Sequence, residues 1–125
     1  KTFKDLISGR ASQKLITISS TQAVLDAIEL MKKYDIENIP VIDNGNNVGA
    51  ISESGLFNKI LNNAEIKTAS IAAVMEKNYP EVAFDTPVER LSSFITKENG
   101  AVLSKDESGS YHIVTKYDII QSLAK

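Results

Sequence analysis

The sequence predicts a mixed α/β protein, α+β in layout, made of two β-α-β-β-α repeats of about 60 residues each, and three observations carry that reading. The apolar residues Val24, Leu25, Ala27, Ile28, Leu30 and Met31 recur at the spacing of one helix face. Two short apolar runs, 39–42 and 48–51, flank Asp43-Asn44-Gly45-Asn46-Asn47, whose turn chemistry predicts a hairpin. The same order then returns downstream: Val88 follows Val24 by 64 residues, Val114 follows Ile51 by 63, and Val102 follows Val41 by 61. The offset shrinks because the second copy lacks about three residues opposite Ile36-Glu37-Asn38.

Element by element, Phe3, Leu6 and Ile7 predict a short helix over residues 3–9, ended by Gly9, and Ile16-Thr17-Ile18 a brief strand. The helix begun at Val24 takes Ser20 or Thr21 as N-cap. Pro40 sits at a strand entry, and a second helix runs from about Glu53 to Asn62 with Leu56, Phe57, Ile60 and Leu61 on one face. After a linker of small residues, 64–70, Ile71 to Met75 echoes Phe3 to Ile7, and Val82-Ala83-Phe84 echoes the first strand. Asp85-Thr86-Pro87 opens a helix over 87–95. Residues 101–103 and 111–114 form the second hairpin about a turn at 105–110, and a helix over 119–124 closes the copy. The repeats divide as 1–64, with the lead-in helix, and 65–125; a half of that size is too small to be comfortable alone and packs against its twin.

Composition narrows the function. The chain has 125 residues, 14 basic and 16 acidic, with no Cys, so thiol nucleophiles, redox pairs, iron–sulfur clusters and Cys-based zinc sites are excluded. There is no apolar run of the roughly 18 residues a membrane span needs, no signal-peptide pattern and no block of Lys or Arg. The expectation is a soluble, cytoplasmic protein with no nucleic-acid and no membrane partner. His112 is the single histidine, with no second ligand to complete a metal site, and no nucleophile–base constellation is visible, so neither catalytic nor metal-binding residues are expected. A start at Lys1 rather than Met reads as a piece cut from something longer.

The repeat resembles a CBS domain, and the pair resembles a Bateman module. The resemblance spans essentially the whole chain, through Val24-Leu25-Asp26-Ala27-Ile28-Glu29-Leu30-Met31, Ile39-Pro40-Val41-Ile42-Asp43 and Val48-Gly49-Ala50-Ile51-Ser52. Tyr111-His112-Ile113-Val114-Thr115-Lys116-Tyr117-Asp118-Ile119-Ile120 is similar to the closing motif of bacterial cystathionine β-synthases. The resemblance implies two repeats packed through their sheets with pseudo-two-fold symmetry, in the non-catalytic regulatory region of an enzyme whose pyridoxal-phosphate domain lies elsewhere. It also implies a homodimer, through helix faces such as Leu56-Phe57-Ile60-Leu61 and Ile119-Ile120-Leu123.

Physically, Thr115 at a strand end and Asp118 in the following helix place a hydroxyl and a carboxylate one turn apart at a helix start. A carboxylate there can accept both hydroxyls of a ribose, and the helix N-terminus favours a nearby anion. The same pair also serves as a simple cap with no ligand at all. In the family this element holds the ribose of S-adenosylmethionine, AMP, ADP or ATP. By position the resemblance adds Ile113 and Tyr117 with the Ile36-Glu37-Asn38-Ile39 segment as an apolar clamp for the adenine, and Thr17 and Ile18 on the first strand as further ligand-binding candidates. The chain departs from the pattern twice: Gly55 stands in the first repeat where Asp118 stands in the second, and His112 stands where many members have Gly. One ligand site per chain is therefore expected. The alternative is a structural module that assembles the parent enzyme and binds no small molecule.

Overall fold

The computed structural model describes residues 1–8 and 15–123, so the expected helix stop at Gly9 and the end of the last helix at Ala124 lie outside the described residues. The chain divides into two compact units, one of residues 16–78 and one of residues 1–15 with 79–125.

In the unit 16–78, helix α2 (Val24–Tyr34) packs on a hairpin of β1 (Asn38–Asp43) and β2 (Asn46–Ser52), and α3 (Glu53–Asn62) follows directly. The hairpin turns on Asn44 and Gly45, both at positive φ (51° and 78°), the conformation a tight two-residue turn requires. Strand alternation sends Ile39, Val41 and Ile51 into a core with Ile18, Val24, Ala27, Met31 and Leu56. Residues 64–68 form a 3₁₀ turn and α4 (Ile71–Val74) adds Ile71 and Val74 to the same core.

The other unit repeats this plan. Helix α5 (Val88–Ser92), β3 (Ala101–Lys105), β4 (Tyr111–Thr115) and α6 (Lys116–Leu123) enclose Val88, Leu91, Val102, Val114 and Ile119. Their core is completed by Phe3 of α1 (Phe3–Ser8), which is fully buried.

The lead-in helix counted with the first repeat thus belongs to the core of the second, and α4 to the core of the first. The exchange is matched bond for bond. Phe3 N donates to Thr86 O at 2.8 Å as Ile71 N donates to Gln22 O at 2.7 Å; Lys4 N to Phe84 O (3.0 Å) matches Ala72 N to Ser20 O (2.9 Å). Val88 N to Lys1 O (2.8 Å) matches Val24 N to Ala69 O (2.9 Å).

Three local expectations need correction. The strands expected at 16–18 and 82–84 are single parallel bridges, Ile18 to Val41 and Glu81 to Leu103, because only one or two backbone bonds form on each side. The helix expected over 87–95 is regular only to Ser92: the Ser92 and Ser93 hydroxyls donate back to Glu89 O (2.7 Å) and Arg90 O (2.6 Å), competition that ends such a helix. The N-cap of α2 is Ala23, not Ser20 or Thr21. Ala23 has no acceptor, so Asp26 reaches back to its N–H at 3.0 Å, while Ser20 bonds Asp43 through both N–H and hydroxyl.

Candidate functional site

The residues of the Thr-x-x-Asp motif meet where β4 runs into α6. Val114 is fully buried, and alternation along β4 puts Ile113 in the opposite direction, on the face it shares with Thr115. Both are half-buried. The Asp118 carboxylate turns back on Thr115: its Oδ2 accepts from Thr115 N at 2.9 Å and from Thr115 Oγ1 at 3.2 Å. A hydroxyl and a carboxylate are thereby held together at the first turn of an eight-residue helix, half-buried, beside a side chain that presents aromatic surface to solvent, Tyr117 at 67% exposure. Such a group can accept hydroxyls of a polyol.

His112 does not share the face of Ile113 and Thr115. Its ring lies 5.5 Å from that of Phe84, which packs against Phe3, and its Nε2 is 2.8 Å from Asp106 Oδ2. The bulk that replaces Gly at this position is thus taken up by the hairpin turn and the aromatic edge of the core. The Ser108 hydroxyl first, and the His112 ring next, hold the Asp106 carboxyl well below the ordinary carboxylate range.

The other predicted residues belong to the unit 16–78. Ile18 and Ile39 are buried in its core, and Thr17 is exposed. Ile36 is half-buried against that core, Glu37 is exposed and Asn38 is half-buried. Residues 17–18 and 39–42 are neighbours, since Ile18 N donates to Pro40 O (3.1 Å) and Ile42 N to Ile18 O (2.9 Å). Glu37 and Asn38 adjoin the start of α3: Glu53 N donates to Glu37 O at 2.9 Å, and Asn38 pairs with Ser52. The structure thus gathers the Ile36 to Ile39 segment about the Ser52 to Gly55 turn of its own repeat.

That turn binds a residue from elsewhere in the chain, Glu76, that the sequence did not bring forward. Ser52 Oγ accepts from Gly55 N (3.1 Å) and donates to Oε1 of Glu76 (3.2 Å), a carboxylate from a distant segment. The sequence signals were indirect: a glycine where the other repeat has a carboxylate, and an acid just beyond the echo of the lead-in helix. Among the described residues no group of three or more His, Asp or Glu is placed to hold a metal ion, and no helix is long and apolar enough to cross a membrane.

The sequence pattern of the CBS domain family matches residues 4–62. Cystathionine beta-synthase of Dictyostelium discoideum is 27% identical over 130 residues, covering 99% of this chain and 25% of that protein, so the chain spans about a quarter of that relative's length. The crystal structure of the CBS domain NE2398 superposes with a TM-score of 0.87 at 17% identity, over 100% of this chain and 98% of that one. The CBS domain pair of protein MJ0100, solved in complex with 5'-methylthioadenosine and S-adenosyl-L-methionine, gives 0.79 at 25% identity over 99% and 96%.

Proposed function

We propose that this chain, which belongs to the CBS-domain family and carries two copies of its repeat, is a regulatory module that takes one adenosyl ligand at Thr115 and Asp118 and controls an attached enzyme of the cystathionine β-synthase type. The observation that carries the reading is the hydroxyl–carboxylate pair held at the β4 to α6 junction, in a chain that aligns over nearly its whole length with a pair bound to S-adenosyl-L-methionine. Asp118 accepts the ribose hydroxyls and Ile113 offers apolar surface to the base, with Tyr117 free to fold over it. The enzyme is controlled because the ligand favours one conformation of the module over another, and a coupling of about 1–3 kcal/mol suffices. The attached enzyme is inferred from the cystathionine beta-synthase relative, and cytoplasmic residence from the composition.

Isothermal titration with S-adenosylmethionine, AMP, ADP and ATP tests this. Saturable heat from one of them, lost in Asp118→Ala and kept in Asp5→Ala, is the expected result. No heat from any, with the protein folded, refutes it.

A second reading, assembly of the parent protein, rests on another observation. Leu56 and Ile119 face their own cores, but Phe57 (60% exposed), Leu61 (67%), Ile120 (54%) and Leu123 present the outer sides of α3 and α6 to solvent. A second copy of this chain covering those faces makes a homodimer. Light scattering then reads a dimer for the native chain and a monomer for Phe57→Asp with Ile120→Asp; a native monomer excludes this assembly.

A further inference from the structure

The unit 16–78 has its own version of the Thr115 to Asp118 turn, and the structure fills the place its sequence leaves empty. Ser52 corresponds to Thr115 and Gly55 to Asp118. Thr115 Oγ1 donates to Asp118 at 3.2 Å, and Ser52 Oγ donates to Glu76 Oε1 at the same 3.2 Å. A Cβ at Gly55 would stand 2.5 Å from that Glu76 oxygen, so a side chain at 55 and the carboxylate of Glu76 compete for one position.

The backbone holds Glu76 there. Glu76 N donates to Ala50 O at 2.8 Å and Ala50 N donates to Glu76 O at 3.0 Å, pinning the segment to the free edge of β2. Its other oxygen lies 3.7 Å from Lys59 Nζ, on the next turn of α3. The preceding residue, Met75, lies against Gly49, where a Cβ would meet its Sδ at 2.5 Å. Two glycines of the first repeat therefore admit the 75–76 segment, and the carboxylate absent from position 55 arrives from a different stretch of chain.

We propose that Glu76 is a built-in occupant of this turn, an internal contact that closes the first repeat to an adenosyl ligand, so that the chain takes one ligand rather than two. The proposal rests on the ligand reading given above. Any ligand reaching for the Ser52 hydroxyl and the start of α3 has first to displace the carboxylate bonded to them.

The test moves the carboxylate from 76 to 55. Native chain, Gly55→Asp/Glu76→Ala, and that double variant with Asp118→Ala are titrated with S-adenosylmethionine and with AMP, and bound ligand per chain is counted. The expected counts are one, two and one. One equivalent in the native chain and still one in the double variant overturns the occupant role while leaving the Asp118 site standing, as do two equivalents in the native chain. No binding to the native chain with binding to the double variant upholds the occupant and removes the Asp118 site. No binding to any protein overturns both. Should the double variant not fold, Glu76→Ala alone is read by amide exchange: faster exchange at Gly55 and the first turn of α3 supports the contact, and unchanged exchange overturns it.

Discussion

Replacing Phe3 by Ala removes the largest fully buried side chain of the unit formed by 1–15 and 79–125, and the damage is expected there and not in 16–78. Phe3 is 0% exposed and packs among Val88, Leu91, Val102, Val114 and Ile119, with its ring 5.8 Å from that of Phe84. Truncating a buried Phe costs about 3–5 kcal/mol, and the tilted ring pair adds roughly 0.5–1.5 kcal/mol to its anchoring. With a urea m-value of about 2 kcal/mol/M, a loss of about 4 kcal/mol moves the unfolding midpoint by about 2 M. Far-UV circular dichroism in urea measures the loss, and amide exchange locates it: Val102 and Val114 lose protection while Val41 and Ile51 keep theirs. Ile71→Ala gives the reciprocal pattern at about 2–5 kcal/mol. A cost below about 1 kcal/mol, or lost protection at Val41 and Ile51 in Phe3→Ala, would refute the exchanged packing.

Two further outcomes follow from the geometry. Gly49→Ala forces a Cβ against Met75 Sδ, Cγ and Cβ at 2.5, 3.0 and 3.2 Å, and overpacking of this kind lowers stability by about 1–3 kcal/mol; Met75→Ala in the same chain recovers part of it, read as non-additive melting shifts. Asp106, held low by Ser108 and His112, binds a proton less readily folded than unfolded, as do Asp43 beside Ser20 and Asp5 beside Thr2. Their stabilisation is complete above the ordinary carboxylate range and is lost as pH falls through the depressed folded values, so the urea midpoint drops from about pH 5 downward, and Asp106→Asn flattens that drop.

What the sequence made legible was local. Helix α3 begins and ends where its apolar spacing places it, the hairpin turn follows from Asn44-Gly45, and the 64-residue offset reveals the repeat. Periodicity says that Phe3 and Ile71 need a core but not which core, so the exchange of lead-in segments was hidden. Helix α5 ends early because two serines, placed to solvate a helix face, bond its backbone instead. The Thr115 to Asp118 pair was legible because both partners lie within one turn; the Ser52 to Glu76 pair was not, because its partners are joined only through the edge of β2.

The geometry of Thr115 and Asp118 is not by itself a ligand signature. Asp5 accepts from Thr2 N at 2.9 Å and from Thr2 Oγ1 at 3.2 Å, the same two distances that join Asp118 to Thr115. Asp26 makes the backbone half of that arrangement with Ala23. Three helix starts thus use an acid at the third helical position to satisfy a free N–H, and each is worth about 0.5–2 kcal/mol as a cap. The capping role therefore cannot distinguish Asp118 from Asp5, and a loss of stability common to Asp118→Ala and Asp5→Ala says nothing about a ligand. What sets Asp118 apart is its surroundings: it is half-buried at the end of a sheet strand, whereas Asp5 is exposed on the lead-in helix. If the carboxylate at 118 does more than cap, the two variants lose similar stability and only one loses adenosyl binding. Equal effects on both would leave Asp118 a structural residue and assembly through the exposed apolar faces of α3 and α6 as the better account of the module.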